Sequence, residues 1–121
     1  MKKKKPSKKE AVIYDVTGTL TKKKVAHHAR KDAAKGKKVL VLTSRASDQR
    51  KSTKDFLMSN GIPVDKLVMR PKGDTRKDST VKKDLYEKKV KSKYNVKKAY
   101  DDKPSNVKMF RSEGIDAKRV K

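Results

Sequence analysis

Five short apolar runs recur along this chain, at Ala11–Val16, Lys38–Thr43, Lys66–Arg70, Lys97–Asp101 and, more weakly, Ala117–Val120, and the residues between successive runs suffice for one helix. Runs this short and this rich in branched side chains suit strands buried within a parallel sheet. The intervening segments carry helical punctuation. Val25, Ala29 and Ala33 repeat at i, i+4 and i+8 before Gly36, and Ser47 or Asp48 can cap a helix that carries Phe56 and Leu57 and stops at Asn60-Gly61. Val81, Leu85 and Val90 form the stripe of a third helix, capped by Asp78 or a neighbour. Pro104 opens a fourth, with Val107 and Phe110 facing inward and Gly114 closing it. Strand and helix in alternation predict an α/β fold, one Rossmann-like domain with a parallel sheet of about five strands, right-handed crossovers and helices on both faces.

The 121 residues fit a single domain. Residues 1–10, a lysine-rich lead with Pro6 and Ser7 and nothing to bury, are expected to be a mobile tail, leaving 11–121 as the folded unit. With 32% hydrophobic residues and no Trp, the core must be thin and the stability modest. The absence of Cys excludes disulfides, thiolate metal sites and cysteine nucleophiles, and agrees with a reducing cytoplasm. No apolar run approaches the roughly 20 residues that span a bilayer, and none follows the basic N-terminus as a signal region would. A soluble cytoplasmic protein is the expectation.

In a parallel sheet the carboxyl ends of the strands share one edge, so the residues that finish each run become neighbours. Here these are Asp15, then Thr43-Ser44-Arg45, then Asp101-Asp102. Carboxylates converging on one point cannot all ionise without a cation, and oxygen-only ligation suits Mg²⁺. The hydroxyls of Thr43 and Ser44 and the fork of Arg45 would hold phosphoryl oxygens beside that cation. Asp15 is then left as a nucleophile that attacks phosphorus.

This pattern resembles the haloacid dehalogenase superfamily of phosphotransferases, and more closely the phosphatase domain of phage-type polynucleotide kinase-phosphatases. The opening motif of the family, DxDGTL, stands here as Asp15-Val16-Thr17-Gly18-Thr19-Leu20. The second stands as Val39-Leu40-Val41-Leu42-Thr43, followed by Ser44-Arg45 in place of Ser-Gly-Arg. The third spans Met69 to Lys82, and the fourth is Asp101-Asp102 followed by Lys103. The resemblance covers roughly residues 10 to 120, with all four motifs in order. It implies an aspartyl-phosphate on Asp15, a lysine at Lys82 in the first turn of its helix offsetting the repulsion between Asp15 and phosphate, and a supporting aspartate at Asp78. It also implies a metal site built from Asp15, the Thr17 backbone carbonyl, Asp101 and Asp102.

Thr17 departs from the pattern, because the family carries there the aspartate that protonates the leaving oxygen and later activates water. Such acid–base work is worth about 10²- to 10⁴-fold in rate, and a threonine cannot do it near neutral pH. Alkyl phosphates should suffer most; anhydrides, acyl and aryl phosphates least. The Asp-Lys-Thr-Gly-Thr motif of P-type ATPases has threonine at the same position and keeps a comparatively long-lived phosphoenzyme. Between Thr21 and Lys38 there is room for one helix and no cap domain, so the site should be open to large substrates, among them nucleotide or polynucleotide 3′-phosphates.

The formal charge of +23, from 37 Lys and Arg against 14 Asp and Glu, attracts polyanions. Its lysines are spread along the chain, so a lysine-biased or engineered surface explains it as readily as binding to nucleic acid. Two alternatives therefore stand beside the enzyme: a basic nucleic-acid-binding module of weak or no activity on this scaffold, and a designed or reconstructed minimal domain. His27 and His28, adjacent on a helix, point about 100° apart and cannot chelate one ion together.

Overall fold

A computed structural model describes residues 8–121. Nine elements follow in order: β1 (Lys9–Tyr14), α1 (Lys23–Ala34), β2 (Lys38–Ala46), α2 (Arg50–Ser59), β3 (Lys66–Arg70), α3 (Asp78–Lys89), β4 (Tyr94–Asp101), α4 (Pro104–Ser112) and β5 (Asp116–Arg119). The five strands form one sheet in the order β3-β2-β1-β4-β5, every pair parallel. This is the α/β architecture that the alternating runs predict.

Side-chain alternation along the strands divides the interior into two layers. Ile13, Leu40, Leu42, Val68 and Ala99 face α3 and α4, packing on Val81, Leu85, Val107 and Phe110. Val12, Tyr14, Val39, Val41 and Met69 face α1 and α2, against Ala26, Ala29 and Leu57. Because β1 and β2 lie at the centre, both of their faces are covered, which is why Val12-Ile13 and Val39-Leu40-Val41-Leu42 run apolar without alternation.

Strand boundaries differ from the expectation at both kinds of end, with β2 running on to Ala46 and β4 starting as early as Tyr94. Strand β1 begins at Lys9, paired with Tyr94, so the expected tail is cut short; the rest of that expectation lies outside the described residues. At its other end β1 stops at Tyr14, because Asp15 and Val16 turn out of the sheet. Among the described residues no helix is long and apolar enough to cross a membrane.

Candidate active site

Strand order reverses beside β1: β2 and β3 lie on one side, β4 and β5 on the other. The crevice at such a switch point is where open α/β sheets bind ligands. Asp15 leaves β1 there, its N–H donating to the Tyr100 carbonyl (3.1 Å), and Asp101 closes β4. Residues 16–20 then form one wide turn, with the Leu20 N–H on the Asp15 carbonyl and the Thr21 N–H on the Val16 carbonyl, both at 3.2 Å. Gly18 sits in that turn at φ +77°, and a Cβ added to it would lie 2.5 Å from Asp102 Oδ2. Glycine is needed twice, for the left-handed turn and for the close approach of Asp102.

Asp15, Asp101 and Asp102 each present a carboxylate oxygen within 4.8 Å of the others. Lys82 Nζ lies 3.0 Å from Asp15 Oδ1 and 2.6 Å from Asp101 Oδ2. This lysine is only 1% exposed, so its ammonium belongs wholly to the site. It is the fifth residue of α3, one turn deeper than the sequence placed it. Asp101 also accepts the Lys103 N–H (3.0 Å) and the Asn106 amide (3.2 Å). By contrast Asp102 Oδ1 is buried with no partner among the described residues.

Three carboxylates thus converge where one buried ammonium pairs with only two of them. Burial pushes the Asp15 carboxyl up to about 6, Lys82 opposing that rise and Asp101 adding to it. A surplus of negative charge, an orphaned buried oxygen and an oxygen-only donor set all fit a hard divalent cation.

On the β2 side, Thr43 is buried and its hydroxyl accepts the Arg45 N–H at 3.1 Å. Arg45 does not pair with Asp48. Its Nε donates to the Thr17 hydroxyl at 3.3 Å and its Nη1 to Thr53 at 3.4 Å. Thr17 itself is exposed at the mouth. Ser44 is half-buried, and its carbonyl accepts a bond from Arg70 Nε (2.9 Å).

Arg70 and Asn106 carry structural roles that the motifs did not assign. From the end of β3, Arg70 also donates to the carbonyls of Asp74 (2.9 Å) and Arg76 (2.8 Å) and to Asp78 Oδ1 (2.6 Å). The signal for it was its place: a charged residue at the carboxyl end of a strand, as Asp101 is at the end of β4. Asp78 is the first residue of α3 but does not cap it; its carboxylate lies between Arg70 and the Lys103 ammonium. The bond from Lys103, with Arg70 behind it, holds Asp78 below the usual carboxylate range. Ser47 likewise caps nothing: a short turn at Ser47–Gln49 precedes α2, and the Ser47 hydroxyl takes the Lys72 N–H (3.1 Å). His28 has no contact with the Asp15, Asp101 and Asp102 triplet; its Nδ1 lies on the Tyr14 hydroxyl at 2.7 Å and 3.4 Å from Asp32, while His27 is exposed.

A Rossmann-like sheet with an aspartate after its first strand, a lysine reaching it from a later helix and an aspartate pair after the fourth strand defines a phosphatase domain of the haloacid dehalogenase type. The comparisons are narrower still. The family model described as the polynucleotide kinase PNKP phosphatase domain matches residues 13–121, and this chain belongs to that family. Two solved structures of a Pnkp1/Rnl/Hen1 complex contain similar chains. One is 30% identical at a TM-score of 0.89, covering 96% of this chain, and the other 28% identical at 0.86, covering 98%. This chain spans about half the length of those proteins, 47% and 44% respectively. The core domain of a phosphoglycolate phosphatase from Streptococcus pneumoniae TIGR4, described as putative, shares the fold at 19% identity and a TM-score of 0.60, over 92% of this chain and 79% of that one.

Proposed function

We propose that this phosphatase domain is a Mg²⁺-dependent phosphohydrolase that works through an aspartyl-phosphate on Asp15 and takes nucleotide or polynucleotide 3′-phosphates. The observation that carries the reading is the carboxylate triplet within 4.8 Å, with Lys82 bridging Asp15 and Asp101. The name of one relative's assembly, an RNA repair complex, favours a nucleic-acid substrate.

Asp15, Asp101, Asp102 and the Thr17 carbonyl would hold the cation, with the free Oδ1 of Asp102 available to it. When bound, Mg²⁺ neutralises charge on the phosphoryl oxygens and on the carboxylates. The chain does the rest. One Asp15 oxygen attacks phosphorus as the leaving oxygen departs with its bonding pair, and water then attacks the same phosphorus and releases the Asp15 carboxylate. Lys82 and Arg45 lower the repulsion between Asp15 and the incoming dianion. Asp101, fixed by Lys103 and Asn106, fixes Lys82 in turn. Arg70 ties the β3–α3 loop to Ser44, so the phosphate-facing hydroxyls and the lysine helix share one brace.

Thr17 leaves the departing oxygen without an acid, so acyl and aryl phosphates should turn over faster than alkyl ones. The test is hydrolysis of an aryl phosphate with Mg²⁺ by the wild type and by Asp15→Asn. Activity lost in the variant supports the enzyme. No activity in either, with tight salt-sensitive polynucleotide binding, leaves the basic binding module instead. Thr17→Asp should raise turnover of an alkyl 3′-phosphate by about 10²-fold and leave acetyl phosphate nearly unchanged. The guanidinium of Arg45 already touches this position and would keep the new carboxyl acidic, so the gain should stay at the low end.

A further inference from the structure

On the face covered by α1 and α2 the buried cluster reaches from β1 to β3 and includes no β5 residue. The β4–β5 half of that face is left open, and it carries the register pairs Lys98/Asp116 and Tyr100/Lys118. Over it lies a pocket of about 310 Å³ lined by Lys22, Lys24, His28, Tyr100, Lys118 and Arg119, among others.

Tyr100 is the one aromatic ring of β4 at this place, and it is held. Tyr14, its register partner on β1, stacks on one ring face at 5.0 Å between centroids and 10° between planes. Tyr14 is itself fixed by Asp32 and His28, and the His28 ring tilts against Tyr100 at 5.0 Å. On its other side Lys118 of β5 is the register partner of Tyr100, and both residues line the pocket.

The cations around it are largely free of carboxylates. Among the described residues Lys22, Lys24 and Arg119 make no ion pair, and Lys118 pairs only with the exposed Asp116, at 3.4 Å. Lys22, Lys23 and Lys24 also sit at the positive end of α1, whose first turn has no acidic residue. That arrangement works against helix stability and raises the local positive potential. A free phosphate would need the cations but no aromatic face, whereas a nucleobase with flanking phosphates uses both.

We propose that this pocket is a subsite for single-stranded polynucleotide, with a base stacked on the Tyr100 ring opposite Tyr14 and its phosphates on Lys22, Lys24, Lys118 and Arg119. The proposal deepens the 3′-phosphate reading and rests on it for the direction of the strand. Tyr100 immediately precedes Asp101. Lys22 immediately follows Thr21, whose hydroxyl accepts the Gly18 N–H at 3.0 Å. A strand whose 3′-phosphate meets Asp15 therefore passes this pocket with its terminal nucleotides.

The experiment is fluorescence anisotropy of a short labelled single-stranded oligonucleotide on the Asp15→Asn protein, alone and combined with Tyr100→Leu, Lys118→Gln or the control Lys54→Gln on α2. Tyr100→Leu, which keeps apolar cover over Tyr14, should weaken binding about tenfold. Lys118→Gln should lower the slope of log affinity against log salt by about 0.7, and Lys54→Gln should not. Equal effects of the two lysine variants, no effect of Tyr100→Leu on a protein of unchanged melting temperature, or no binding at all overturns the subsite. If Tyr100→Leu fails to fold, the lysine comparison decides alone. Hydrolysis of acetyl phosphate by the wild type separates the readings: its absence, with Tyr100-dependent binding intact, defeats the phosphatase and leaves the subsite standing.

Discussion

At the scale of single residues, the site depends on charges that folding alone would not choose. Asp15 and Asp101 are buried against one ammonium, and the carboxyl of Asp15 is pushed up to about 6 by that burial. An unfolded aspartate titrates near 4, so between roughly pH 4 and 6 the folded state binds more protons than the unfolded one. Without divalent cation, stability should therefore fall as pH rises through that window and stay lower above it. Asp15→Asn removes the surplus charge and leaves Lys82 paired with Asp101, so it should raise the pH 7 melting temperature by several degrees, on the order of 2 kcal/mol. Added Mg²⁺ should stabilise the wild type and not the variant; calorimetry with and without chelator checks both. Gly18→Ala tests the other constraint. Its Cβ would meet Asp102 Oδ2 at 2.5 Å and its φ is +77°, so metal-dependent stabilisation and turnover should both drop at least tenfold. The sequence disclosed Asp15, Gly18 and Lys82 through their motif, but not that Asp101 is held by several protein donors while Asp102 keeps a free oxygen, because that difference arises from contacts made across elements.

At the scale of elements, strands were more legible than their ends. Both faces of β1 and β2 are buried, and an uninterrupted apolar run reports that directly. The Lys9/Tyr94 and Glu10/Asn95 pairs were invisible, since backbone ladders form whatever the side chains are and these carry no apolar pattern. The helix caps misled for a related reason. Ser47 and Asp78 have the chemistry of caps, yet tertiary partners outcompete the helix backbone for their side chains, Lys72 in one case and Arg70 with Lys103 in the other. Arg70 is the centre of the β3–α3 connection, donating to three carbonyls and one carboxylate. Lysine has neither the planar fork nor the number of donors to replace it. Arg70→Lys should destabilise the domain by about 2 kcal/mol and raise amide hydrogen exchange selectively over residues 71–78, with a loss of activity larger than the loss of stability explains. Uniform exchange across the chain would show instead that Arg70 only adds to global stability.

For the whole molecule, a formal charge of +23 sets two responses against each other. Fourteen Lys or Arg pairs with carboxylates are present among the described residues, but several, such as Lys51–Asp55 and Lys118–Asp116, are exposed and contribute little. Among the described residues most basic side chains make no ion pair, and the lysines at the start of α1 have no acidic residue in their own first turn. Salt screens attractive and repulsive surface terms alike, over about 10 Å at 0.1 M, and the repulsive terms are here the more numerous. The melting temperature should therefore rise by several degrees as sodium chloride goes from about 20 to about 300 mM, the reverse of what an ion-paired surface would give. Affinity for single-stranded nucleic acid should fall steeply over the same range, because each phosphate contact made by the protein is paid back in released counterions that added salt makes less favourable. Opposite slopes measured on one preparation would mean that the charge which strains the fold is the charge that binds the strand. A melting temperature that falls with salt would place the stabilising weight on the ion pairs and remove that link.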